Sequence, residues 1–127
     1  MILGIDNVGL AVRDLELSVA FYQKLGFTKS FQNDRGCSMT RGSIKLFLFP
    51  AADQKVLPRS VALEANPPGI DHLSFLVDNV DRTYLELGAR GLSFLSIPAD
   101  QPWGARTAVL CDPDGNNLYL LTWLLKP

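Results

Sequence analysis

Histidine, cysteine and excess charge are all scarce in this chain of 127 residues. It contains one histidine and two cysteines, and its formal net charge is −1 at pH 7. A nearly neutral chain without a lysine or arginine cluster lacks the electrostatic footprint of a nucleic-acid-binding protein. The two cysteines, Cys37 and Cys111, lack the C-x-x-C spacing of a metal or redox motif. We expect them to be free thiols in a reducing cytosol.

Long apolar runs are missing as well. The most apolar stretch, residues 44–52, contains Lys45 and is too short to cross a bilayer. The start of the chain has no charged segment followed by an apolar one, so no secretory signal is expected. Hydrophobic residues nevertheless make up 47% of the sequence and charged residues 20%, which is typical of a folded globular domain. These features predict a cytoplasmic protein that binds neither nucleic acid nor membranes.

The opening of the chain is repeated 65 residues later. Residues 5–12 (IDNVGLAV) return as residues 70–77 (IDHLSFLV), which aligns Asn7 with the single histidine, His72. A repeat of this kind builds one pocket from two related halves. Here a residue type that binds metals occurs in one half and is absent from the other.

A helix is predicted after the repeated strand in each half. Asp14 and Asn79 are good helix N-caps, because their side chains accept hydrogen bonds from N–H groups of the first turn. Gly26 and Gly91 stand where a helix end needs a residue that tolerates positive φ. Between cap and glycine, apolar residues recur at positions i, i+4 and i+7. They are Leu15, Val19 and Tyr22 in the first half and Val80, Tyr84 and Leu87 in the second.

Three β-like stretches follow each predicted helix. They are residues 27–32, 37–41 and 44–49 in the first half, and residues 92–97, 106–111 and 117–123 in the second. Turn residues separate them, most strongly Asp-Pro-Asp-Gly-Asn at residues 112–116. The sequence therefore predicts an α+β fold of two tandem βαβββ modules, at residues 1–50 and 69–127. A proline-containing linker, residues 51–68, joins them and has a short helical turn at residues 61–65.

Four strands with one helix cannot cover both faces of their sheet. Two such modules can share an interior, with the helices on the outer faces and the sheets curved around a common space. A small molecule would lie on the inner surface of that curved sheet.

The chain resembles the vicinal oxygen chelate superfamily, which includes glyoxalases, extradiol dioxygenases, fosfomycin-resistance enzymes and bleomycin-resistance proteins. The resemblance rests on the paired modules, the opening "NVGLAVRDLELSVAFYQKLGF" and the closing "PWGARTAVLCDPDGNNLYLL". It covers nearly the whole chain outside the linker and implies a cup-shaped mixed sheet, the glyoxalase/bleomycin resistance fold. In metal-using members, ligands from four strands line the cup. Those positions fall on Asn7, Phe47, His72 and Tyr119.

Only one of these four positions keeps a good metal ligand. A catalytic zinc, iron or manganese ion usually takes three protein ligands from histidine, aspartate, glutamate or cysteine. Asn7 offers a weak amide oxygen, neutral Tyr119 is a poor ligand, and Phe47 cannot ligate. We therefore predict no metal and no cofactor, which argues against glyoxalase or dioxygenase chemistry and makes a binding protein more plausible than an enzyme.

The leading interpretation is a metal-free small-molecule-binding protein, most like the bleomycin-resistance branch. That branch also has counterparts of Arg41-Gly42 and Trp103-Gly104. The resemblance implies a homodimer that sequesters a planar or aromatic, antibiotic-like ligand by stacking and apolar burial. Candidate ligand contacts are Asn7, Phe47, His72, Trp103, Arg106 and Tyr119. The cup can form within one chain or across the dimer, since residues 51–68 are long enough for either arrangement.

Each candidate residue also has a structural interpretation. His72 can hydrogen-bond a neighbour such as Asn7 or Tyr119, and Phe47 can fill a closed core. Trp103 can pack on the rim of the cup, and Arg106 can be a solvated charge at a strand end. In an enzyme, His72 would be the acid/base of a lyase, isomerase or dioxygenase-type reaction, without a metal or with an atypical ligand set. A third alternative is a closed cup that serves only dimerisation.

Overall fold

The computed structural model describes residues 1–124, which divide into two compact units that meet between Lys55 and Val56. The first unit contains β1 (Val8–Val12), α1 (Leu15–Lys24), β2 (Thr28–Gln32), β3 (Cys37–Arg41) and β4 (Ile44–Pro50). The second contains β5 (His72–Leu76), α2 (Val80–Ala89), β6 (Phe94–Asp100), β7 (Ala105–Cys111) and β8 (Asn117–Trp123). The predicted α+β fold with two βαβββ modules is confirmed. Neither helix in the described part of the chain is long and apolar enough to span a membrane.

The two helices keep the 65-residue register at both ends. Asp14 and Asn79 are the N-caps, and each accepts a hydrogen bond from the backbone N–H three residues later, at 3.0 and 2.9 Å. Gly26 and Gly91 follow the helices with φ of +103° and +89°. A side chain is strained at such φ values, which is why glycine ends both helices.

Each module forms a four-stranded mixed sheet in which the first strand lies beside the last. The strand orders are β1-β4-β3-β2 and β5-β8-β7-β6. The pairs β1/β4 and β5/β8 are parallel, and the other neighbouring strands are antiparallel. In the second sheet His72 is paired with Asn117 and Ser74 with Tyr119. The parallel pairing therefore brings the repeated strand against the C-terminal strand of its own module.

The first sheet is buried mainly on one face. In β4, Leu46 and Leu48 are at most 1% exposed, whereas the alternate residues Phe47 and Phe49 are partly exposed. The buried face packs with α1, whose Tyr22 is fully buried. The rings of Phe47 and Phe49 stack at 5.8 Å on the other face. This alternation is expected of a strand with one covered face.

The second sheet is covered on both faces at β8. Residues 117–121 are all buried, without the alternation that β4 has. One face packs with α2, and residues 60 and 61 accept hydrogen bonds from side chains of the other face. The segment predicted as a linker therefore packs on the second module from residue 56 onward. Where a helical turn was predicted, at residues 61–65, the structure has a four-residue turn closed by a 3.0 Å hydrogen bond from the Ala65 N–H to the Ala62 carbonyl, and none of these residues is helical.

Candidate ligand-binding site

Residues 60–66 form a closed loop, termed here the 60–66 loop. The side-chain oxygen of Asn66 accepts a hydrogen bond from the Ser60 N–H at 2.7 Å, and its Nδ2 donates to the Ser60 carbonyl at 2.8 Å. The same Nδ2 donates to the Asp71 carboxylate at 2.7 Å. One amide side chain thus joins the two ends of the loop as a backbone pair would, and links them to the start of β5.

Two side chains of β8 hold this loop on the sheet. Asn117 Nδ2 donates to the Ser60 carbonyl at 3.0 Å, and the Tyr119 hydroxyl donates to the Val61 carbonyl at 3.2 Å. Residues 117 and 119 share one face of the strand because side chains alternate along it. Asn117 is 1% exposed and Tyr119 6%, so these hydrogen bonds satisfy groups that water cannot reach easily.

Burial also fixes the protonation state of the tyrosine. It raises the pKa of Tyr119 above the ordinary value of 10.0, and the negative charge of Asp71 raises the pKa further. The phenol is therefore protonated at neutral pH and remains a donor to the loop. The pKa of Tyr119 is higher in the folded state than in the unfolded state. The protonated phenol therefore contributes its full stability below pH 10, and this contribution is lost as the pH rises through the folded-state pKa.

Replacing Tyr119 with phenylalanine is expected to loosen the 60–66 loop while leaving the ring in place. The Val61 carbonyl loses its donor, which should lower the free energy of unfolding by about 1 kcal/mol. Amide hydrogen exchange of residues 60–66 should become faster than in the wild type. The matched control is Tyr84→Phe, since the Tyr84 ring packs against Phe94 on the side of α2. Equal exchange in Tyr119→Phe and Tyr84→Phe would contradict the anchoring role.

His72 lies beside Tyr119 at the start of β5. The two rings are 4.3 Å apart between centroids, with an interplanar angle of 34°. His72 Nδ1 is 2.7 Å from Asp71 Oδ1, and the hydrogen bonds from His72 and Asn66 lower the pKa of Asp71. One ring nitrogen of His72 is therefore held by a carboxylate, and the ring lies close against the phenol of Tyr119.

A cavity of about 330 Å³ lies where the 60–66 loop meets the second sheet. Small-molecule pockets have volumes of roughly 300–1,000 Å³, so the cavity suits a compact ligand. It is lined by the loop, by β6, β7 and β8, and by the turn between β6 and β7. The lining residues are Val61, Ala62, Leu63, Glu64, Ser96, Gln101, Pro102, Trp103, Thr107, Val109 and Tyr119.

The turn between β6 and β7 presents Trp103 to this cavity. Gly104, the next residue, has φ of +99°, and the turn is closed by hydrogen bonds between Gln101 and Ala105 and between Gln101 and Gly104. Trp103 is 45% exposed and meets the edge of Trp123 at 5.8 Å. A large aromatic ring that is exposed on one side and supported on the other is well placed to stack on a planar molecule.

Comparison with known proteins identifies the family. Residues 4–120 match the model of the Glyoxalase/Bleomycin resistance protein/Dioxygenase superfamily. The chain belongs to this superfamily. A bleomycin resistance protein of Klebsiella pneumoniae is 29% identical to it over 114 residues, which cover 88% of this chain and 86% of that protein. The uncharacterized protein YwkD of Bacillus subtilis (strain 168) is 31% identical over 120 residues, covering 87% of this chain and 89% of YwkD.

A solved superfamily structure confirms the likeness of the fold. The crystal structure of a glyoxalase/bleomycin resistance protein/dioxygenase from Nocardioides matches with a TM-score of 0.80 and 27% identity. The match covers 100% of this chain and 87% of that one.

The donor set of this superfamily member does not fit a catalytic metal ion. The resemblance assigns four positions to metal ligands. Phe47 has no ligand atom, the Asn7 amide donates to Asp6, and the Tyr119 hydroxyl donates to a carbonyl. His72 is the one good ligand type left among the four. Among residues 1–124, no group of three or more histidine, cysteine, aspartate or glutamate side chains is arranged to hold a metal. A catalytic zinc site takes three such ligands.

The sequence-predicted contacts lie in different parts of the structure. Trp103 and Tyr119 both line the cavity. His72 contacts Tyr119, but it is not among the described residues that line the cavity. Phe47 lies in the first unit, on the face of β4 opposite the Leu46 and Leu48 side chains. Asn7 precedes β1 in the same unit, is exposed, and donates a hydrogen bond to the Asp6 carboxylate at 2.9 Å.

Arg106 is engaged on the opposite face of the second sheet from the cavity. Its guanidinium forms a two-point ion pair with Asp81 of α2, at 2.8 and 2.9 Å, and a further contact with Asp100 at 2.9 Å. These hydrogen bonds raise the pKa of Arg106 and lower that of Asp81. Arg106 alternates along β7 with Thr107, which lines the cavity. In the structure this arginine joins the helix to the sheet rather than facing the cavity.

Several cavity residues were not among the sequence predictions. Thr107 and Val109 lie on the cavity side of β7, and Gln101 Nε2 donates to Thr107 Oγ1 at 3.0 Å. Side chains alternate along β7, so residues 107 and 109 lie on the same face. Once one of them is assigned to the cavity, the sequence pattern assigns the other as well. Residues 61–64 carry no such signal, because their position depends on hydrogen bonds to β8, more than fifty residues away in sequence.

The cysteines are not positioned as nucleophiles. Burial raises the pKa of Cys37, and burial together with the adjacent Asp112 carboxylate raises the pKa of Cys111. Both therefore stay protonated at neutral pH, whereas the reactive form of cysteine is the thiolate.

Proposed function

We propose that this superfamily member is a metal-free binding protein that sequesters a planar or aromatic small molecule in the cavity beneath the 60–66 loop. One observation carries the proposal. Tyr119, at a position that the resemblance assigns to a metal ligand, donates its hydroxyl to the loop that forms one wall of the cavity. In this protein the position serves to build the cavity.

The lining suits binding by stacking and apolar burial. Trp103 and Tyr119 supply aromatic surface, while Val61, Leu63 and Val109 supply aliphatic surface. Burial of apolar surface contributes about 25 cal/mol for each Å², and a well-placed aromatic pair adds about 0.5–1.5 kcal/mol. Ser96 and Gln101 provide polar groups that can orient a bound molecule.

The name of the Klebsiella pneumoniae relative supports an antibiotic-like ligand, and we include sequestration of such a compound in the proposal.

We further propose that the binding form is a homodimer. Large apolar side chains are left exposed in the chain, among them Leu57 at 71%, Leu76 at 74% and Ile97 at 68%. Association of two copies would cover such surface. Sedimentation equilibrium should give twice the chain mass, and a monomer at micromolar concentration would contradict this part.

Calorimetric titration with and without a chelator tests the proposed function. Metal-free bleomycin and 2-naphthylmethylamine are the probes, and each is titrated into purified protein with and without EDTA. We expect saturable binding of at least one probe with the same dissociation constant in both conditions. Binding that disappears with EDTA and returns on adding a divalent metal would overturn a metal-free site. Absence of binding for both probes would argue for a closed cup.

A second candidate function is a metal-free enzyme with His72 as acid/base. The 2.7 Å contact between Asp71 and His72 favours it, because a carboxylate that orients one imidazole nitrogen leaves the other for proton transfer. The variant His72→Ala separates the two functions. Binding of the probes should survive largely unchanged if the imidazole is structural. Turnover of a bound compound by the wild type, absent in His72→Ala, would favour the enzyme.

A further inference from the structure

We infer that the cavity selects ligands that carry a positive charge, and that Glu64 is the residue that selects them. The inference rests on the proposed function and adds the charge class of the ligand. Among the eleven residues that line the cavity, Glu64 is the only acidic one, and none is a lysine, arginine or histidine. A planar ligand with an ammonium group would therefore meet one carboxylate and no opposing cation.

The structure holds the carboxylate-bearing turn in place. Glu64 lies in the turn closed by the hydrogen bond from the Ala65 N–H to the Ala62 carbonyl. Asn66 joins the ends of the loop that contains this turn, and Asn117 and Tyr119 fix the loop to β8. A charge on a fixed turn costs less conformational entropy on binding than a charge on a mobile segment.

The aromatic lining favours the same charge. Trp103 presents a partly exposed indole to the cavity, and the face of an indole attracts cations through its quadrupole. Arg59, a cation close to the loop in sequence, donates instead to the Pro67 carbonyl at 3.0 Å. The residues that face the cavity from β6, β7 and β8 are Ser96, Thr107, Val109 and Tyr119, all uncharged at neutral pH.

Glu64 is exposed, so its attraction for a ligand cation is partly screened by water and salt. An exposed ion pair combined with a cation–π contact corresponds to a preference of about three- to tenfold. Selection by charge is therefore expected to be moderate and to decrease in high salt.

Three probes that share one ring system and differ in charge test this inference. They are 2-naphthylmethylamine, which is an ammonium at pH 7, the neutral 2-naphthylmethanol, and the anionic 2-naphthoate. In calorimetric titrations of the full chain at low salt, the amine should bind about three- to tenfold more tightly than the alcohol, and the naphthoate more weakly than both. In Glu64→Gln the ratio of amine to alcohol affinity should fall, because the amine loses the carboxylate and keeps only the cation–π contact with Trp103, whereas the alcohol loses no charge partner.

The matched control is Glu86→Gln, which removes an exposed carboxylate from α2 on the other side of the sheet. This control should keep the wild-type ratio. Equal affinities for amine and alcohol in the wild type, or the full wild-type ratio in Glu64→Gln, would overturn charge selection by Glu64 while leaving a planar-ligand site intact. Absence of binding for all three probes would instead overturn the proposed function, and with it this inference.

Discussion

Replacing Trp103 with alanine is expected to weaken binding of 2-naphthylmethylamine by about tenfold to a hundredfold. Trp103 carries the larger ring system of the two aromatic residues that line the cavity. Loss of one stacking aromatic side chain typically costs about 1–3 kcal/mol of binding free energy. The variant should fold normally, because Trp103 is 45% exposed in a turn and carries little of the core. Calorimetric titration of the wild type and the variant gives the ratio directly.

The second tryptophan offers a matched control. The chain contains two tryptophans, Trp103 and Trp123, and their rings touch edge to face. In Trp123→Ala all indole fluorescence comes from Trp103, so the probe should change the emission and bind with nearly wild-type affinity. In Trp103→Ala the remaining Trp123 should respond weakly. Strong quenching of Trp123 with unchanged affinity in Trp103→Ala would exclude Trp103 as the stacking surface.

A glycine-to-alanine substitution at residue 36 is expected to lower the free energy of unfolding by about 2–3 kcal/mol. Gly36 is buried immediately before β3, where an added Cβ would lie 2.4 Å from the Leu48 carbonyl oxygen and 2.8 Å from the Phe47 ring. The oxygen belongs to the backbone of the neighbouring strand, so the strand itself must shift. Overpacking of this kind typically costs about 1–3 kcal/mol. Urea denaturation measures the change.

The comparison substitution is Gly88→Ala in α2. Nothing lies within 4 Å of a Cβ built at Gly88, and the residue is in a helix, where alanine is favoured over glycine. We expect this variant to be more stable than the wild type by about 0.5–1 kcal/mol. Equal changes in the free energy of unfolding for Gly36→Ala and Gly88→Ala would contradict the conclusion that β4 leaves no room for a Cβ atom at residue 36.

The fold could be predicted from the sequence because its signals are local and occur twice. The caps Asp14 and Asn79 and the glycines Gly26 and Gly91 fix the helix ends within a few residues, and the structure confirms all four. β8 begins and ends where its apolar run does. The ends of β5 and β6 were less well defined. β6 begins and ends later than predicted and carries two irregularities in its pairing with β7, which a periodic pattern does not encode.

The candidate site could be predicted only in part. Trp103 and Tyr119 were identified from residue type and family position, and both line the cavity. The role of residues 61–64 could not be found, because a linker sequence gives no sign that Asn117 and Tyr119 will bind its carbonyls. Arg106 was a candidate contact because a cation could reach an anionic group of a ligand. Its partner Asp81 lies 25 residues earlier in the chain, and only the packing of α2 on the sheet brings the two together.

The most direct test of the account is an NMR titration of the isotope-labelled protein with 2-naphthylmethylamine in the presence of EDTA. We predict saturable chemical-shift changes concentrated at the Trp103 indole N–H, at residues 61–64, and at Thr107 and Val109. The same changes should occur at the same probe concentrations when EDTA is omitted. Shift changes confined to residues outside the second unit, or changes that require a divalent metal, would contradict a metal-free ligand site beneath the 60–66 loop.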